Sequence, residues 1–411
     1  MIDATHDPAL RSWVESANEP GADFPVQNLP FAMFRDARNP QPRLGVAIGD
    51  LVLDATAAFG LESMKAVMQQ PKADRVESRR RISRFLVTHE AGAEALLARR
   101  NSIELLLPCE IGDYSDFYAS LHHATNVGSM FRPDNPLLPN YKWLPVGYHG
   151  RASSIVLSGT TVRRPRGQLV ENPAGPPVYG ESRRLDYELE LGAFLGPGNG
   201  MGETIPAHLA ADHLFGVCLL NDWSARDIQT WEYQPLGPFL AKSFATSISP
   251  WVVTMEALEP FRCVPEPRLP GDPQPLPHLQ TGCYDAYSIT LEVWLRSARM
   301  AGPMRLSRAN FSTMYWTLAQ MVAHHASNGC PLRPGDLIGS GTVSGPLKEN
   351  RGCLLEAAWR GTEPIELTSG EVRSFLADGD EVILRGWGEA AGARRIGLGE
   401  CRGTVEAAAA V

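Results

Sequence analysis

Residues 185–195 read Leu-Asp-Tyr-Glu-Leu-Glu-Leu-Gly-Ala-Phe-Leu, and residues 214–222 read Leu-Phe-Gly-Val-Cys-Leu-Leu-Asn-Asp. Both are apolar runs of strand length with acidic residues at one end, which predicts two strands, at 185–195 and 214–221. Successive side chains of a strand point to opposite faces, so Asp186, Glu188 and Glu190 share one face in this interpretation. The two segments predict a mainly β domain with carboxylates on one side of a sheet.

Carboxylates crowded on one face repel each other and need either solvent or a cation. Hard oxygen ligands suit Mg²⁺ or Ca²⁺, so Glu188 and Glu190 are candidate metal ligands. Asp222 ends the second run and is followed by Arg226 and Gln229, which would share its face if that stretch is helical. An amphipathic strand with a wet face, and an N-cap aspartate with an ion pair, remain the alternative interpretations.

The sequence also predicts secondary-structure elements on either side of these two strands. From Asp113 onward the sequence is punctuated by Gly and Pro, and the clearest helix is predicted at 305–327 with Ser307 as a possible N-cap. A hairpin-like turn is predicted at Gly49-Asp50 and a helical segment at 60–107, with a boundary near residue 110. Further strands are predicted at 154–162, 250–256, 286–296, 353–359 and 380–386.

Composition narrows the class of protein. The 411 residues carry 38 Lys and Arg against 46 Asp and Glu, and the net charge of −8 disfavours nucleic acid and anionic membrane surfaces as partners. No apolar run approaches the roughly 18 residues of a membrane helix, and the first residues lack a signal-peptide pattern. The seven cysteines are scattered singly, which predicts neither disulfides nor a zinc knuckle and fits a reducing cytoplasm.

Other segments carry possible catalytic groups. If 116–128 is helical, Asp116, Ser120 and His123 lie on one face, and histidine is the usual general base near neutral pH. Lys242 is a lone cation among small apolar residues, suited to electrostatic catalysis or simply to the surface. The loop with Tyr148 and the glycine-rich residues 339–345 fit recognition of a small acid, or ordinary loops and turns.

Taken in order, several strings resemble one family from about residue 28 to residue 404. They are Asp116-Phe-Tyr, His123-Ala-Thr-Asn-Val-Gly, Leu144-Pro-Val-Gly-Tyr-His-Gly-Arg-Ala-Ser-Ser, Glu188-Leu-Glu, Asn221-Asp-Trp-Ser-Ala-Arg-Asp-Ile-Gln, Trp231-Glu-Tyr-x-Pro-Leu-Gly-Pro-Phe, Lys242-Ser-Phe and Ser340-Gly-Thr-x-Ser-Gly-Pro. On these strings the chain resembles the fumarylacetoacetate hydrolase family.

The resemblance implies a mainly β fold in two parts. Residues 1–110 would form an SH3-like small barrel with a helical segment, and residues 111–411 a mixed β-roll that carries the catalytic site. It also implies a homodimer and a divalent cation, Mg²⁺ or Ca²⁺.

The resemblance further assigns site residues. The metal carboxylates would be Asp116, Glu188, Glu190 and Asp222, with Lys242 and Thr246 close to the ion. His123 would be the general base, oriented by Glu356, with Lys242, Gln229 and Arg226 as further catalytic groups. Substrate contacts would come from Tyr118, Arg132, Tyr148, Arg226, Gln229 and Thr342.

The implied activity is hydrolysis of a carbon–carbon bond in a diketo dicarboxylic acid, fumarylacetoacetate, to fumarate and acetoacetate. That reaction is the last step of tyrosine and phenylalanine breakdown. Two alternatives remain: a related acylpyruvate or diketo-acid hydrolase, and a non-catalytic binding relative that kept the fold.

Overall fold

The computed structural model describes residues 2–172 and 174–410, and it is mainly β. Its larger sheets are one of five strands near the N-terminus, one of eight strands and a second of five strands. This architecture confirms the predicted small N-terminal barrel followed by a mixed β-roll. Among the described residues, no helix is long and apolar enough to cross a membrane.

The first sheet is antiparallel throughout and lies within residues 31–106. In spatial order its strands are Leu97–Arg99, Leu51–Asp54, Arg43–Ile48, Phe31–Asp36 and Ile103–Leu106. The predicted turn at Gly49-Asp50 is confirmed, because Ile48 pairs with Leu51 across it. Gly49 has φ of +54°, a left-handed conformation that side chains rarely adopt.

The predicted helical segment at 60–107 is correct only in its first part. Helices cover Met64–Met68 and Lys72–Val87, whereas the end of the segment forms strands of the first sheet. Ile103–Leu106 pairs with Phe31–Asp36, so long-range pairing overrides the helical propensity of leucine and glutamate there.

The eight-stranded sheet carries the two strands that the sequence analysis started from. In spatial order its strands are Gly147–His149, Tyr114–Phe117, Leu337–Gly339, Leu189–Leu195, Leu214–Asp222, Thr246–Ile248 and Ile155–Leu157, with Val253–Thr254 also paired to Leu214–Asp222. The strand predictions at 185–195 and 214–221 are therefore confirmed, although the first is broken after Asp186 and the second extends to Asp222.

The second five-stranded sheet packs against the eight-stranded one. In spatial order it contains Met304–Asn310, Ile289–Arg296, Glu381–Gly388, Ile396–Glu406 and Val162–Arg163. Four two-stranded sheets complete the β structure: Arg166–Leu169 with Val178–Glu181, Leu185–Asp186 with Ser224–Ala225, Arg262–Cys263 with Ala286–Tyr287, and Ile365–Glu366 with Val372–Arg373.

Helices are short and lie between the strands. The α-helices of the described residues are Ala55–Phe59, Met64–Met68, Lys72–Val87, Leu121–Phe131, Arg226–Glu232, Leu318–His325 and Leu354–Ala357. The 3₁₀ helices are Ala4–His6, Glu15–Asn18, Ala93–Leu96, Arg100–Ser102, Ala152–Ser154, Ala207–His213, Glu259–Phe261, Pro277–Leu279, Phe311–Thr313, Lys348–Asn350 and Trp359–Gly361.

Two secondary-structure predictions are wrong. The predicted helix at 305–327 is wrong in its first part, which is the strand Met304–Asn310, and the helix begins only at Leu318 after the N-cap Thr317. Ser307 is a buried strand residue, not an N-cap. The predicted strand at 353–359 is the short helix Leu354–Ala357, whose first N–H groups bond to a side-chain carboxylate from another segment.

Other strand predictions hold in part. The described strands cover Ile155–Leu157 and Val162–Arg163 within 154–162, and Val253–Thr254 within 250–256. The predictions at 286–296 and 380–386 are confirmed to within two residues, apart from a break at Ser288.

The eight-stranded sheet is buried on both faces. Side chains from Val217 to Leu220 alternate between two apolar clusters: Val217 and Leu219 face the second five-stranded sheet, whereas Cys218 and Leu220 face the first. Packing on both faces shields the whole strand from water, so the carboxylate of Asp222 at its end is also buried.

A buried ion pair joins the helix Lys72–Val87 to the larger, C-terminal part of the chain. Arg75, in Lys72–Val87, places Nε 3.0 Å from Oε1 of Glu256, and both side chains are almost fully buried. Removing one partner of such a pair leaves the other charge buried without compensation.

We therefore expect Glu256→Gln to lower the free energy of unfolding by about 3 kcal/mol. The measurement is urea unfolding at neutral pH followed by tryptophan fluorescence. The control is Glu77→Gln, on the exposed face of the helix Lys72–Val87, where Glu77 lies 3.8 Å from Arg80. For this variant we expect the free energy of unfolding to change by less than about 0.5 kcal/mol. Equal losses for the two variants would contradict the role of the buried pair.

Candidate metal and catalytic site

Three carboxylates meet at the ends of three strands of the eight-stranded sheet. Asp116, Glu190 and Asp222 each offer a carboxylate oxygen, and these oxygens lie within 4.8 Å of one another. All three side chains are buried, with at most 2% of each residue exposed. We call Asp116, Glu190 and Asp222 the carboxylate cluster.

Strand register explains why these residues converge. Asp116 lies opposite Gly339 in a parallel pair and opposite Tyr148 in an antiparallel pair. Asp222 lies opposite Thr246, at the end of its own strand. The acidic strand ends therefore meet at one place in the eight-stranded sheet.

Gly339 leaves space between two members of the cluster. A Cβ built on Gly339 would lie 2.4 Å from Oδ1 of Asp116 and 3.0 Å from Oε2 of Glu190. Glu190 Oε2 accepts a hydrogen bond from the backbone N–H of Gly341 at 3.0 Å. The glycine-rich segment 339–345 thus provides both room and one donor.

The cluster has unused oxygen atoms. Within the described chain, Asp116 Oδ1 and Glu190 Oε1 are buried and have no hydrogen-bond partner. Burial raises the pKa of Asp116 to about 8, and the charge of Asp222 adds to the rise. Burial and the neighbouring carboxylates Asp116 and Asp222 also raise the pKa of Glu190 well above its usual range. Buried carboxylate oxygens that repel one another and lack donors fit a hard divalent cation.

Lys242 connects the cluster to Glu188. Its Nζ lies 2.5 Å from Oε2 of Glu188 and also contacts Oδ2 of Asp222. Burial alone would lower the pKa of Lys242, but Asp222 and Glu188 outweigh it and keep the pKa above its usual value. Burial would likewise raise the pKa of Glu188, and Lys242 and Arg226 instead hold it well below its usual range. Lys242 is therefore a fixed ammonium group.

Two hydroxyl groups border the cluster. Tyr148 Oη lies 2.8 Å from Oδ2 of Asp116 and 3.0 Å from Oδ2 of Asp222, and its single proton can be donated to only one of them at a time. Thr246 Oγ1 lies 3.4 Å from Oδ1 of Asp222. Tyr148 is on the strand Gly147–His149 and not in an irregular loop, and it contacts the cluster directly.

A second buried group is the pair of His123 and Glu356. The Nδ1 atom of His123 lies 2.6 Å from Oε2 of Glu356, and both side chains are nearly inaccessible. Within the described residues, the other ring nitrogen, Nε2, has no hydrogen-bond partner. Because a carboxylate accepts, the single proton of the neutral imidazole ring lies on Nδ1, and the lone pair on Nε2 is then free.

The helical prediction for 116–128 needs correction. Asp116 belongs to the strand Tyr114–Phe117, and the helix Leu121–Phe131 starts after its N-cap, Ser120. Ser120 Oγ accepts from the backbone N–H of His123, so it fixes the helix start and is not a third group on a catalytic face.

Sequence reasoning missed three partners of Glu356. Asn126 Nδ2 donates to Oε1 at 2.8 Å, and the Ser344 hydroxyl donates to Oε2 at 2.8 Å. Cys353 Sγ lies 3.2 Å from Oε2. Burial would raise the pKa of Glu356, but the charge of His123 and these hydrogen bonds lower it to about 2. Asn126 lies three residues after His123, so a helix would bring the two side chains to the same face. This spacing is the one sequence signal that could have identified Asn126.

Arg226 lies between three polar side chains. Its Nε donates to Asp186 at 2.9 Å and its Nη1 donates to Oε1 of Gln229 at 3.1 Å. Its Nη2 lies 2.7 Å from Oε1 of Glu188, as an ion pair without the alignment of a hydrogen bond. Since the Gln229 carbonyl oxygen accepts from Arg226, the N–H groups of that amide remain available as donors.

Two expectations about Asp222 and Asp186 are wrong. Asp222 ends a strand, and the helix begins only at Arg226, so Asp222 is not part of a common helical face. Asp186 does not join Glu188 and Glu190, because the strand is broken after it, and its carboxylate turns to Arg226 and the backbone of Leu354.

The remaining predicted substrate contacts are distributed unevenly. The half-buried ring of Tyr118 packs edge-on to His123, with ring centroids 5.2 Å apart. Thr342 is buried, and its hydroxyl has no hydrogen-bond partner in the described part of the chain. Arg132 is exposed at the end of the helix Leu121–Phe131, where its Nη2 donates to the carbonyl of Pro136, outside the carboxylate cluster.

Comparison with known families covers most of the chain. The family described as "Fumarylacetoacetate (FAA) hydrolase C-terminal" matches residues 114–406, and "Fumarylacetoacetase N-terminal" matches residues 27–108. The fumarylacetoacetases of Bos taurus and Homo sapiens are each 48% identical to the chain, covering 93% of it and 96% of the relative. That of Oryza sativa subsp. japonica is 44% identical and covers 98% and 99%.

Solved structures share the fold at lower identity. A fumarylacetoacetate hydrolase from Exiguobacterium antarcticum is 17% identical with a TM-score of 0.53, covering 92% of this chain and 99% of that one. A maleylpyruvate hydrolase from Sphingobium sp. SYK-6, in complex with manganese(II) and pyruvate, is 17% identical with a TM-score of 0.51, covering 93% and 100%. Likeness at this identity establishes the fold alone.

The space at Gly339 makes the cation site testable. Gly339→Ala puts a methyl group against Asp116 and Glu190, so we expect affinity for Mg²⁺ or Ca²⁺, measured by calorimetric titration, to fall at least about tenfold. The matched control is Gly302→Ala, whose Cβ meets nothing within 4 Å; neither glycine has a left-handed backbone. Unchanged affinity in Gly339→Ala would argue against a cation between those carboxylates.

Proposed function

The chain belongs to the fumarylacetoacetase family, and we propose that its buried pair of His123 and Glu356 activates the water that cleaves the substrate. The family is a hydrolase family acting on carbon–carbon bonds, and 44–48% identity over nearly the whole chain assigns that activity to this protein. The reaction is hydrolysis of fumarylacetoacetate to fumarate and acetoacetate, a step of tyrosine and phenylalanine breakdown in this proposal.

The observation that carries the catalytic assignment is the geometry of His123. Nδ1 of His123 lies 2.6 Å from Oε2 of Glu356. Burial would raise the pKa of Glu356, but the charge of His123 and hydrogen bonds lower it to about 2, which favours the ionised carboxylate. The carboxylate keeps the proton on Nδ1 and leaves Nε2 as the acceptor. This is the arrangement of a base with its orienting group.

The chemical step balances around that base. His123 Nε2 takes a proton from water while the water oxygen bonds to the carbonyl carbon of the fumaryl group, whose oxygen becomes an alkoxide. The carbonyl then re-forms as the bond from that carbon to the adjacent methylene breaks, and the electron pair of this bond passes to the enolate of acetoacetate. The new carboxyl group releases its proton to solvent, which gives fumarate. The proton on Nε2 is available to the methylene carbon, and acetoacetate results.

Three groups are suited to stabilise the negative charge that develops on oxygen. Lys242 is a fixed ammonium between Glu188 and Asp222, and Arg226 is held by Asp186 and Glu188. Gln229 has free amide donors, because its carbonyl accepts from Arg226. Donors held in place before the reaction need no reorganisation when charge appears.

The family is metal-dependent, and we propose Mg²⁺ or Ca²⁺ as the ion. Asp116, Glu188, Glu190 and Asp222 would hold it, with Lys242 and Thr246 beside them; the unpartnered oxygens of Asp116 and Glu190 support this set. When bound, such a cation acts as a Lewis acid toward carbonyl and enolate oxygens.

Binding of the substrate requires groups for its two terminal carboxylates. We assign Tyr118, Tyr148, Thr342, Arg226 and Gln229 to this contact region. Tyr118 packs against His123, Tyr148 contacts the carboxylate cluster, and Arg226 donates to Gln229. Thr342 follows Gly341, which donates to Glu190, and its own hydroxyl has no partner in the described residues. Arg132 joins them only if its exposed side chain leaves the carbonyl of Pro136 and turns inward. Because the carboxylate cluster is itself negative, capture of a dianion by a chain of net charge −8 would depend on the bound divalent cation together with Lys242 and Arg226.

Three broader features belong to the same proposal. We propose that residues 1–110 and 111–411 are separate domains, which the two family matches at 27–108 and 114–406 support. We propose a homodimer and a reducing compartment such as the cytoplasm. All seven cysteines are free, which supports a reducing compartment.

Replacement of the proposed base gives a direct test. We expect His123→Ala to lower kcat by about 10²–10⁴-fold, because one general base is removed, while calorimetry still detects the divalent cation. The assay is loss of diketone absorbance with fumarate and acetoacetate appearing together. The control His122→Ala changes a neighbouring, less buried ring that lies 3.9 Å from Glu266. Activity of His123→Ala within a factor of a few of wild type would refute the assignment.

Removal of the metal is a second test. Chelation followed by dialysis should abolish turnover, and added Mg²⁺ or Ca²⁺ should restore it. The cation should also raise the thermal unfolding midpoint of the wild type, because it binds the folded state. Full turnover after chelation, with no ion left by elemental analysis, would disprove the metal requirement.

A further inference from the structure

Asp186 is a fully buried carboxylate outside both the carboxylate cluster and the pair of His123 and Glu356. Each of its oxygens accepts two hydrogen bonds. Oδ1 accepts from the backbone N–H groups of Leu354 at 2.7 Å and Tyr187 at 2.9 Å. Oδ2 accepts from Arg226 Nε at 2.9 Å and from the backbone N–H of Leu355 at 3.0 Å.

Three of these four partners, all except Tyr187, belong to the two short helices that carry catalytic groups. Leu354 and Leu355 are the first residues of the helix Leu354–Ala357, and Glu356 is the next residue along. Arg226 is the first residue of the helix Arg226–Glu232, and its guanidinium also donates to Gln229. One carboxylate thus bonds to the backbone of the helix that carries Glu356 and to Arg226, one of the groups proposed to stabilise the oxyanion.

We propose that Asp186 is a positioning residue that fixes Glu356, and through it His123, relative to Arg226 and Gln229. The inference rests on the function proposed above and deepens it. Asp186 touches none of the reacting atoms, so it acts through these other side chains. The helix Leu354–Ala357 has no side-chain N-cap bond of its own, and Asp186 supplies its first two N–H groups with an acceptor.

The chemistry of the four partners requires a carboxylate. All of them are N–H donors, so an amide at position 186 would turn its NH₂ group toward at least one donor. Burial raises the pKa of Asp186, while Arg226 and the N–H groups of Leu355 and Leu354 oppose that rise. With both oxygens already accepting twice, the geometry selects the ionised form.

The test compares Asp186→Asn with Asp227→Asn. Asp227 follows Arg226 in the same helix and also accepts backbone and hydroxyl bonds, from Arg183 and Ser182, but contacts neither Glu356 nor Arg226 through its side chain. We expect Asp186→Asn to lower kcat about 10–100-fold, since small displacements of catalytic groups have effects of this size, and Asp227→Asn to change it less than about threefold.

Two readouts separate positioning from a general loss of structure. The first is the resonance of the His123 imidazole N–H proton in isotope-labelled protein, which is deshielded by its bond to Glu356 and should shift in Asp186→Asn but not in Asp227→Asn. The second is a double-mutant cycle: in a Glu356→Gln background, Asp186→Asn should add less than about threefold to the loss.

The outcomes are distinct. An unshifted resonance together with losses that multiply in the cycle would overturn the proposal. If Asp186→Asn does not fold, Asp186→Glu keeps the charge and displaces it by one methylene, and it should shift the resonance in the same way; failure of both to fold would also overturn positioning in favour of a purely structural role. The resonance needs no substrate, so a wild type without the hydrolase activity would refute the proposed function and leave this test intact.

Discussion

The constraint on which the site depends is burial of negative charge. Asp116, Glu188, Glu190 and Asp222 are all at most 5% exposed, where an isolated carboxylate is costly. The nearest cations, Lys242 and Arg226, are shared with Glu188 and Asp186, so the carboxylate cluster keeps an excess of negative charge. Its raised pKa values express the same excess. Burial of these charges lowers the stability of the folded state. The apolar packing on both faces of the eight-stranded sheet offsets that loss.

The two buried acidic sites differ because their partners differ. Glu356 accepts from His123, Asn126 and Ser344, and its pKa falls to about 2 although it is fully buried. Asp116 faces other carboxylates and one tyrosine hydroxyl, and its pKa rises to about 8 through burial and Asp222. Burial is common to both, so neighbouring donors and charges decide which carboxylate stays ionised to orient a base and which is ready for a cation.

Local sequence pattern predicted those parts of the site that lie within one strand. Alternation identified Glu188 and Glu190, and an apolar run ending in acid identified Asp222. It failed for Asp186, because nothing in residues 185–190 reveals the break that turns this side chain toward Leu354, 168 positions away. The helix predicted at 305–327 failed for a similar reason, since Met304–Asn310 pairs with Ile289–Arg296 against its own helical spacing. The catalytic and binding roles of the candidate site residues were inferred from resemblance to a family. The contacts of Asn126, Ser344 and Gly339 with the site could be identified only from the three-dimensional structure.

The parallel pairing of Tyr114–Phe117 with Leu337–Gly339 has a consequence for synthesis of the chain. Asp116 meets Gly339 only after more than 200 further residues have been made, which takes roughly 10–45 s at ribosomal rates. His123 meets Glu356 later still. Pairings of such high sequence separation form slowly, so the nascent chain exposes its acidic strand ends to water until release. The active centre is therefore among the last parts of the molecule to mature, and truncated chains that fold at their N-terminal end are left without it.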